Sequence, residues 1–119
     1  MEKMDAVAAL AALSQENRLD VYRLLVQAGP NGMAAGEVAQ RLGIAPNTLS
    51  FHFDRLRHAA LVSVARQGRS LIYAARYETM NNLLGYLTEN CCGGKPELCA
   101  PTVCAPAKPA RKRTKETVR

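Results

Sequence analysis

Aromatic rings are scarce in this chain: two Phe, four Tyr and no Trp among 119 residues. Its core must be built from Leu, Val and Ala, which suits a helical domain. Long apolar runs are missing as well. None approaches the roughly 20 residues that cross a bilayer, so no membrane partner is expected. The N-terminal stretch MEKMDAVAALAALSQ has no basic start and no cleavage site of a signal peptide. A reducing, cytoplasmic home is the expectation. There is no Cys–His pair, no carboxylate pair and no Gly-rich phosphate loop, so neither an enzyme nor a catalytic cofactor is expected. No internal repeat is visible. The length suits one domain with a real core and is too short for two.

The formal net charge is +6, and it is unevenly placed. Residues 41–76 hold six Arg against one Asp, and residues 105–119 hold six Lys/Arg against one Glu. The remaining segments hold four basic and eight acidic residues. Local clustering of this kind points to nucleic acid more strongly than overall charge does. All four cysteines, Cys91, Cys92, Cys99 and Cys104, fall within one short stretch. In a reducing compartment that clustering suggests metal binding or thiol chemistry rather than a disulfide framework.

The most informative stretch is Ala35–Ala75. Val38, Ala39 and Leu42 have helical spacing, and Gly43 breaks the helix. Pro46 suits the first turn of a second helix, Asn47–Ala60, which buries Leu49, Phe53 and Leu56. Its other face offers Asn47, Thr48, Ser50, His52 and Arg55. Two helices joined in this way form a helix-turn-helix, whose second helix can lie in the DNA major groove. Two β-prone runs follow, Leu61–Gln67 and Ser70–Ala75, around a two-residue Gly68-Arg69 turn. This hairpin would be a wing.

Around that stretch the chain reads as helices. Asp5–Leu13 has Val7, Leu10 and Leu13 in register. Ser14 can cap Gln15–Gln27, which would bury Leu19, Tyr22, Leu25 and Val26 before Gly29-Pro30 ends it with a left-handed cap. Tyr77–Asn90 places Met80, Leu83, Leu84 and Leu87 on one face. The first and last helices are too apolar for so small a domain to bury alone, which predicts a two-fold dimer built from them. The expected organisation is a winged helix-turn-helix and dimerisation domain over 1–92, a cysteine-containing loop over 93–104, and a disordered basic tail over 105–119. The fold class is mainly α with a β-hairpin wing.

These residues resemble the winged-helix ArsR/SmtB metalloregulators over about residues 5–90. Leu13, Arg18-Leu19 and Leu24-Leu25 are similar to the family's second helix. Glu37-Val38-Ala39, Leu42-Gly43-Ile44, Leu49-Ser50-Phe51-His52-Phe53, Leu56 and Ala59-Ala60-Leu61-Val62 are similar to its reader. The resemblance implies a homodimeric repressor that releases operator DNA when an inducer binds. Two of the family's inducer sites are missing. Where the arsenic-responsive archetype opens the helix before the turn with Cys-x-Cys, this chain has Ala34 and Gly36. Where the zinc-sensing branch has Asp and His on the last helix, Tyr77–Asn90 has neither. Some members carry their arsenic site as a C-terminal cysteine cluster, which these four cysteines resemble.

Each candidate has a plainer reading beside the functional one. Ser50 and His52 can contact bases or phosphates, or His52 can cap or pack within the domain. Phe51 can meet a thymine methyl or fold back into the core. Arg66 and Arg69 near the wing tip are DNA contacts or solvated charges. The cysteines can hold structural zinc, another divalent metal or a trivalent metalloid, or act as a thiol-redox switch. Zinc pairs usually sit two to four residues apart, and adjacent Cys91-Cys92 strain that pattern. A trivalent metalloid needs three thiolates on one side, and soft thiolates suit it. The resulting expectation is a repressor of arsenical resistance, released from double-stranded operator DNA by arsenite or antimonite. Its ligands would be Cys91, Cys92 and Cys99, with Cys104 as the alternative third. The alternative is a DNA-binding module whose cysteines hold structural zinc or switch by thiol redox.

Overall fold

The computed structural model describes residues 1–94. Five helices, α1 (Lys3–Leu13), α2 (Glu16–Ala28), α3 (Ala35–Leu42), α4 (Pro46–His58) and α5 (Tyr77–Leu87), accompany three strands, β1 (Met33–Ala34), β2 (Val62–Gln67) and β3 (Ser70–Ala75). The strands form one antiparallel sheet in the order β1-β3-β2. Residues 1–89 make one compact unit. Within residues 90–94 the chain forms a single 3₁₀ turn, Cys91–Gly94. Cys99, Cys104 and the basic tail lie outside the described residues. No described helix is long and apolar enough to cross a membrane.

The reader segment forms as its sequence dictates. Gly43 takes a left-handed conformation (φ 66°) that ends α3, and Ile44 N–H closes onto the Ala39 carbonyl at 3.1 Å. Pro46 sits in the first turn of α4, where no N–H is required. The helix stops at His58, two residues before the expected end. Leu61 N–H reaches back to the Leu56 carbonyl (2.9 Å) while Ala60 adopts φ 62°. That closure sends Leu61 into the core, where it is fully buried. The hairpin follows in the expected register, Gln67 opposite Ser70, with Gly68 at φ 63° in the turn.

Among the flanking helices, α2 buries only part of the face expected of it, and α1 and α5 leave large apolar residues exposed. α1 buries Ala6, Ala9 and Ala12, while Val7 (49% accessible) and Leu10 are exposed and Leu13 is half-buried. Small side chains let α1 lie close against α2 and α4, so its larger residues point away. In α2, Val21, Tyr22 and Leu25 are buried, while Leu19 and Val26 are exposed. Gln15, not Ser14, caps α2, its Oε1 accepting Arg18 N–H at 2.9 Å. Ser14 instead closes α1, its Oγ donating to the Ala11 carbonyl at 2.9 Å. Gly29 is not a left-handed cap: at φ 92°, ψ −177° it is in an extended conformation reserved for glycine. α5 buries Leu83 and Thr79, while Leu84 and Leu87 (54% accessible) are exposed. It ends at Leu87 rather than Asn90, where Thr88 Oγ1 donates to the Leu84 carbonyl at 2.7 Å.

The core gathers Val21, Leu25, Val38, Leu49, Leu56, Leu61 and Val62, all fully buried. Each contributes roughly 1.5–3 kcal/mol relative to exposure. One aromatic contact joins α4 to the sheet: Phe53 stacks on Tyr73 of β3 with centroids 3.7 Å apart and planes within 1°. β1 was not legible beforehand, because two residues are too few to show alternation. It pairs Met33 with Tyr73 and Ala34 with Ile72.

The loop into β1 supplies a stability test. Gly32 has φ 75°, and a Cβ there would drive into the Tyr73 carbonyl. Gly36, inside α3, has open space around it. Gly32→Ala should therefore destabilise the domain by about 1–3 kcal/mol. Gly36→Ala should be neutral or stabilising by up to about 1 kcal/mol. Thermal and urea unfolding of the two variants check this. Equal stabilities would contradict the close approach of loop and strand.

Candidate nucleic-acid interface

α4 presents two unlike faces. Leu49, His52, Phe53 and Leu56 are buried. Asn47, Thr48, Ser50, Phe51, Asp54, Arg55, Arg57 and His58 are exposed. At 3.6 residues per turn, Asn47, Phe51, Asp54 and His58 lie within about 30° of the pole opposite the buried side chains. Phe51 does not fold back into the core: it is 74% accessible, on that outer face.

The charges of α4 concentrate at its C-terminal end, where cations also suit the helix dipole. Asp54 accepts from Arg57 Nη2 at 2.9 Å. His58 Nδ1 lies 2.7 Å from the Asp54 carbonyl oxygen, which can only accept, so Nδ1 carries the proton and donates. Arg55 has no ion-pair partner among the described residues, and neither do Arg66 and Arg69 of the hairpin. All three are exposed, so unpaired positive charge stands on the helix and on the wing. The Asp54–Arg57–His58 cluster was missed in the sequence. Its i, i+3 and i, i+4 spacing was the signal available.

One expected contact is corrected. His52 does not share the outer face with Asn47 and Ser50. It is 8% accessible, and neither ring nitrogen has a hydrogen-bond partner in the structure. Its position falls on the side of the helix defined by Leu49, Phe53 and Leu56, and polarity alone had assigned it outward. Burial first, and the positive charge of Arg18 second, push the imidazole below its ordinary pKa. It is held neutral. Arg18 itself donates from Nε to the Ala12 carbonyl at 2.7 Å, tying α2 to the end of α1. Nearby, burial and then Tyr77 push the Tyr22 hydroxyl up to about 12. Tyr77 donates its own hydroxyl to the Val26 carbonyl at 3.0 Å, fastening the start of α5 to α2.

Of the expected thiol ligands, Cys91 is half-buried and shares the 3₁₀ turn Cys91–Gly94 with Cys92. Cys99 and Cys104 lie outside the described residues. Among the described residues no three His, Cys, Asp or Glu gather as a metal site. Ala34 and Gly36 sit at the start of α3 and offer no ligand. A further surface belongs to α1 and α5, which pack on one another. Met4, Val7 and Leu10 on the first and Leu84 and Leu87 on the second remain exposed.

A pH test follows from His52. Its folded pKa is lowered, so below the ordinary value near 6.5 the unfolded chain takes up a proton that the folded chain refuses. The neutral burial is therefore fully compatible with folding above that value, and stability is lost as pH falls from it toward the folded pKa. Urea midpoints at pH 7.5 and 5.5 should separate less in His52→Leu than in the wild type. An identical separation in both proteins would show that His52 does not titrate in this way.

The comparisons agree with this geometry. A helix-turn-helix domain family matches residues 13–65. The chain is 35% identical over 77 residues to the uncharacterized HTH-type transcriptional regulator YceK of Bacillus subtilis, covering 64% of this chain and 76% of that one. Among solved structures, HlyU from Vibrio cholerae is 32% identical with a TM-score of 0.59, covering 73% of this chain and 97% of HlyU. An ArsR-like transcriptional regulator from Rhodococcus shares the fold with a TM-score of 0.67 at 24% identity, covering 80% of this chain and 87% of that one. With an outward polar helix, a basic hairpin and relatives of this kind, the chain belongs to the helix-turn-helix transcriptional regulators, which bind DNA and are not enzymes, and its fold is a winged helix-turn-helix.

Proposed function

We propose that this protein is a dimeric, cytoplasmic repressor that leaves its operator when trivalent arsenic binds its cysteines. The observation that carries the reading is the confinement of all four thiols to residues 91–104, directly after α5 in the chain. The donor set is made of soft thiolates, which suits a soft trivalent ion. Cys91, Cys92 and Cys99 are the proposed ligands, with Cys104 as the alternative third. The inducer is arsenite, and antimonite shares its chemistry.

The dimer rests on the exposed apolar residues of α1 and α5. Burying them against a second copy removes Val7, Leu10, Leu84 and Leu87 from water. Two α4 helices would then meet successive major-groove faces roughly 34–36 Å apart. Asn47, Thr48, Ser50, Phe51 and Arg55 are the proposed groove residues, with Arg66 and Arg69 on the flanking backbone.

Release is a linkage effect. The ion binds the DNA-free dimer better, so each ligand weakens the other by the same factor, typically about 5- to 150-fold. Because the ligands bind as thiolates, arsenite affinity falls at low pH. HlyU of Vibrio cholerae is named a transcriptional activator, so the sign of regulation is also read: arsenite should raise transcription from the target promoter.

Two mutant sets test this reading. Ser50→Ala should cost roughly 1–3 kcal/mol on the operator alone, whereas Arg69→Ala should weaken binding on all sequences and lower the salt slope by about one contact. Fluorescence titrations at several salt concentrations separate the two. Wild-type behaviour in both would remove α4 and the wing from the DNA contact.

For the thiols, reduced protein on its operator is titrated with arsenite, zinc and cadmium in turn. Cys91→Ser, Cys92→Ser and Cys99→Ser should bind DNA normally and fail to release on arsenite, while Cys104→Ser responds. Full release in Cys91→Ser and Cys92→Ser would sink the arsenic site. Loss of DNA binding on metal removal would favour structural zinc.

A further inference from the structure

We infer that Phe51 is a specificity-determining residue of the reader helix and that it recognises the C5-methyl group of thymine in the major groove. The inference rests on the placement of α4 in the groove proposed above. A singly exposed apolar residue ordinarily needs no explanation. Phe51 differs in where it stands. Among the described residues it is the most exposed of the large hydrophobic ones, at 74%, and its place is near the pole of α4 opposite the core. Its helical neighbours at i−4, i−3, i+3 and i+4 are Asn47, Thr48, Asp54 and Arg55, all exposed and polar, with Asp54 paired to Arg57. Each of these can hydrogen-bond a base edge or a phosphate. Phe51 can do neither, so a ring in the middle of that stripe must either leave base edges unsatisfied or meet an apolar group.

The major-groove edges supply one such group. G offers N7 and O6, C its amino group, A its N7 and amino group, and T its O4 together with the C5-methyl. Facing any base but thymine, the ring would cover hydrogen-bonding atoms without replacing their water partners, which costs affinity. Facing thymine, it buries hydrocarbon on hydrocarbon. Phe51 therefore selects in two ways, by a small gain at T and a penalty at G, C and A. Phe53, two residues on, does not compete for this role, since its ring is buried on Tyr73. Nor do the exposed apolar residues of α1 and α5, which lie on other helices.

The test uses the full chain, reduced, and a pool of random-sequence DNA duplexes. Rounds of selection should enrich a two-fold-related site with an invariant thymine at one position in each half. That site is then synthesised with deoxyuridine at those positions, which deletes the methyl and leaves base pairing intact. The wild type should lose roughly fourfold per methyl group, and about 15-fold with both removed. Phe51→Ala should bind the thymine and deoxyuridine sites equally and, in its own selection, lose the thymine preference. Because Phe51 is exposed, the variant keeps the fold, and the base substitution leaves the protein untouched. An enriched site at which thymine and deoxyuridine bind the wild type equally overturns the methyl contact while leaving the reader assignment standing. No enrichment of any sequence overturns both.

Discussion

Tyr73 is the residue on which the reading surface depends. Its ring lies on Phe53, and its backbone is paired on one side with Met33 and on the other with Val64. Its carbonyl also sets the limit on side-chain size at residue 32. Helix, wing and the loop before α3 are thereby referred to one strand position. The two rings lie face to face at 3.7 Å, so the contact rests on the apolar area it buries. Its larger consequence is rotational. With Phe53 held inward between Leu49 and Leu56, α4 has one setting about its axis, and the residues that face out are decided. A turn of 100° per residue means that losing this setting would exchange the outward set for another.

His52 shows how little freedom that setting leaves. A polar residue has been carried into the core because of where it falls on the helix. Burying an imidazole with both nitrogens unbonded costs roughly 1–3 kcal/mol. The apolar residues beside it offset that cost, and burial first, with the nearby charge of Arg18 second, holds the imidazole below its ordinary pKa. The same accounting explains why Phe51 can stand in water. An exposed ring forgoes its burial energy in the free protein, and a DNA contact would recover part of it.

The parts legible in the sequence were those marked by backbone chemistry. Gly43, Pro46 and the Gly68-Arg69 turn have conformational demands that no tertiary context reverses, so α3, α4 and the hairpin fall where those residues place them. Faces were harder. In α2 Leu19 and Val26 were expected in the core and are exposed, and in α1 the buried residues are Ala6, Ala9 and Ala12 rather than the larger Val7 and Leu10. Periodicity records which residues are apolar but not which of two apolar surfaces a helix turns inward, and close packing here favours the smaller one. β1 and the end of α5 depended on long-range pairing and on Thr88, which periodicity does not report. His52 was misplaced because its polarity was weighed above its angle relative to Leu49 and Phe53.

The exposed apolar residues of α1 and α5 bear on the proposed regulation. If Val7, Leu10, Leu84 and Leu87 were core residues, a dimer would have nothing to bury, and the domain would be closed on itself. In the proposed dimer their exposure puts the adjustable contact at α1 and α5, while α4 and the wing are locked to the same sheet through Tyr73. A regulator built in this way has no need to deform its reading surface in order to let go. A dimer that reads two half-sites must keep two helices at a spacing of roughly 34–36 Å, and a small rotation about the interface displaces both by an amount that grows with their distance from it. Couplings of about 1–3 kcal/mol suffice for release, no more than a few contacts at such an interface. In the proposed repressor the inducer ligands need only be continuous in the chain with α5. They have no reason to lie near the bases, and a rigid reader is an advantage because none of the coupling is lost in bending it.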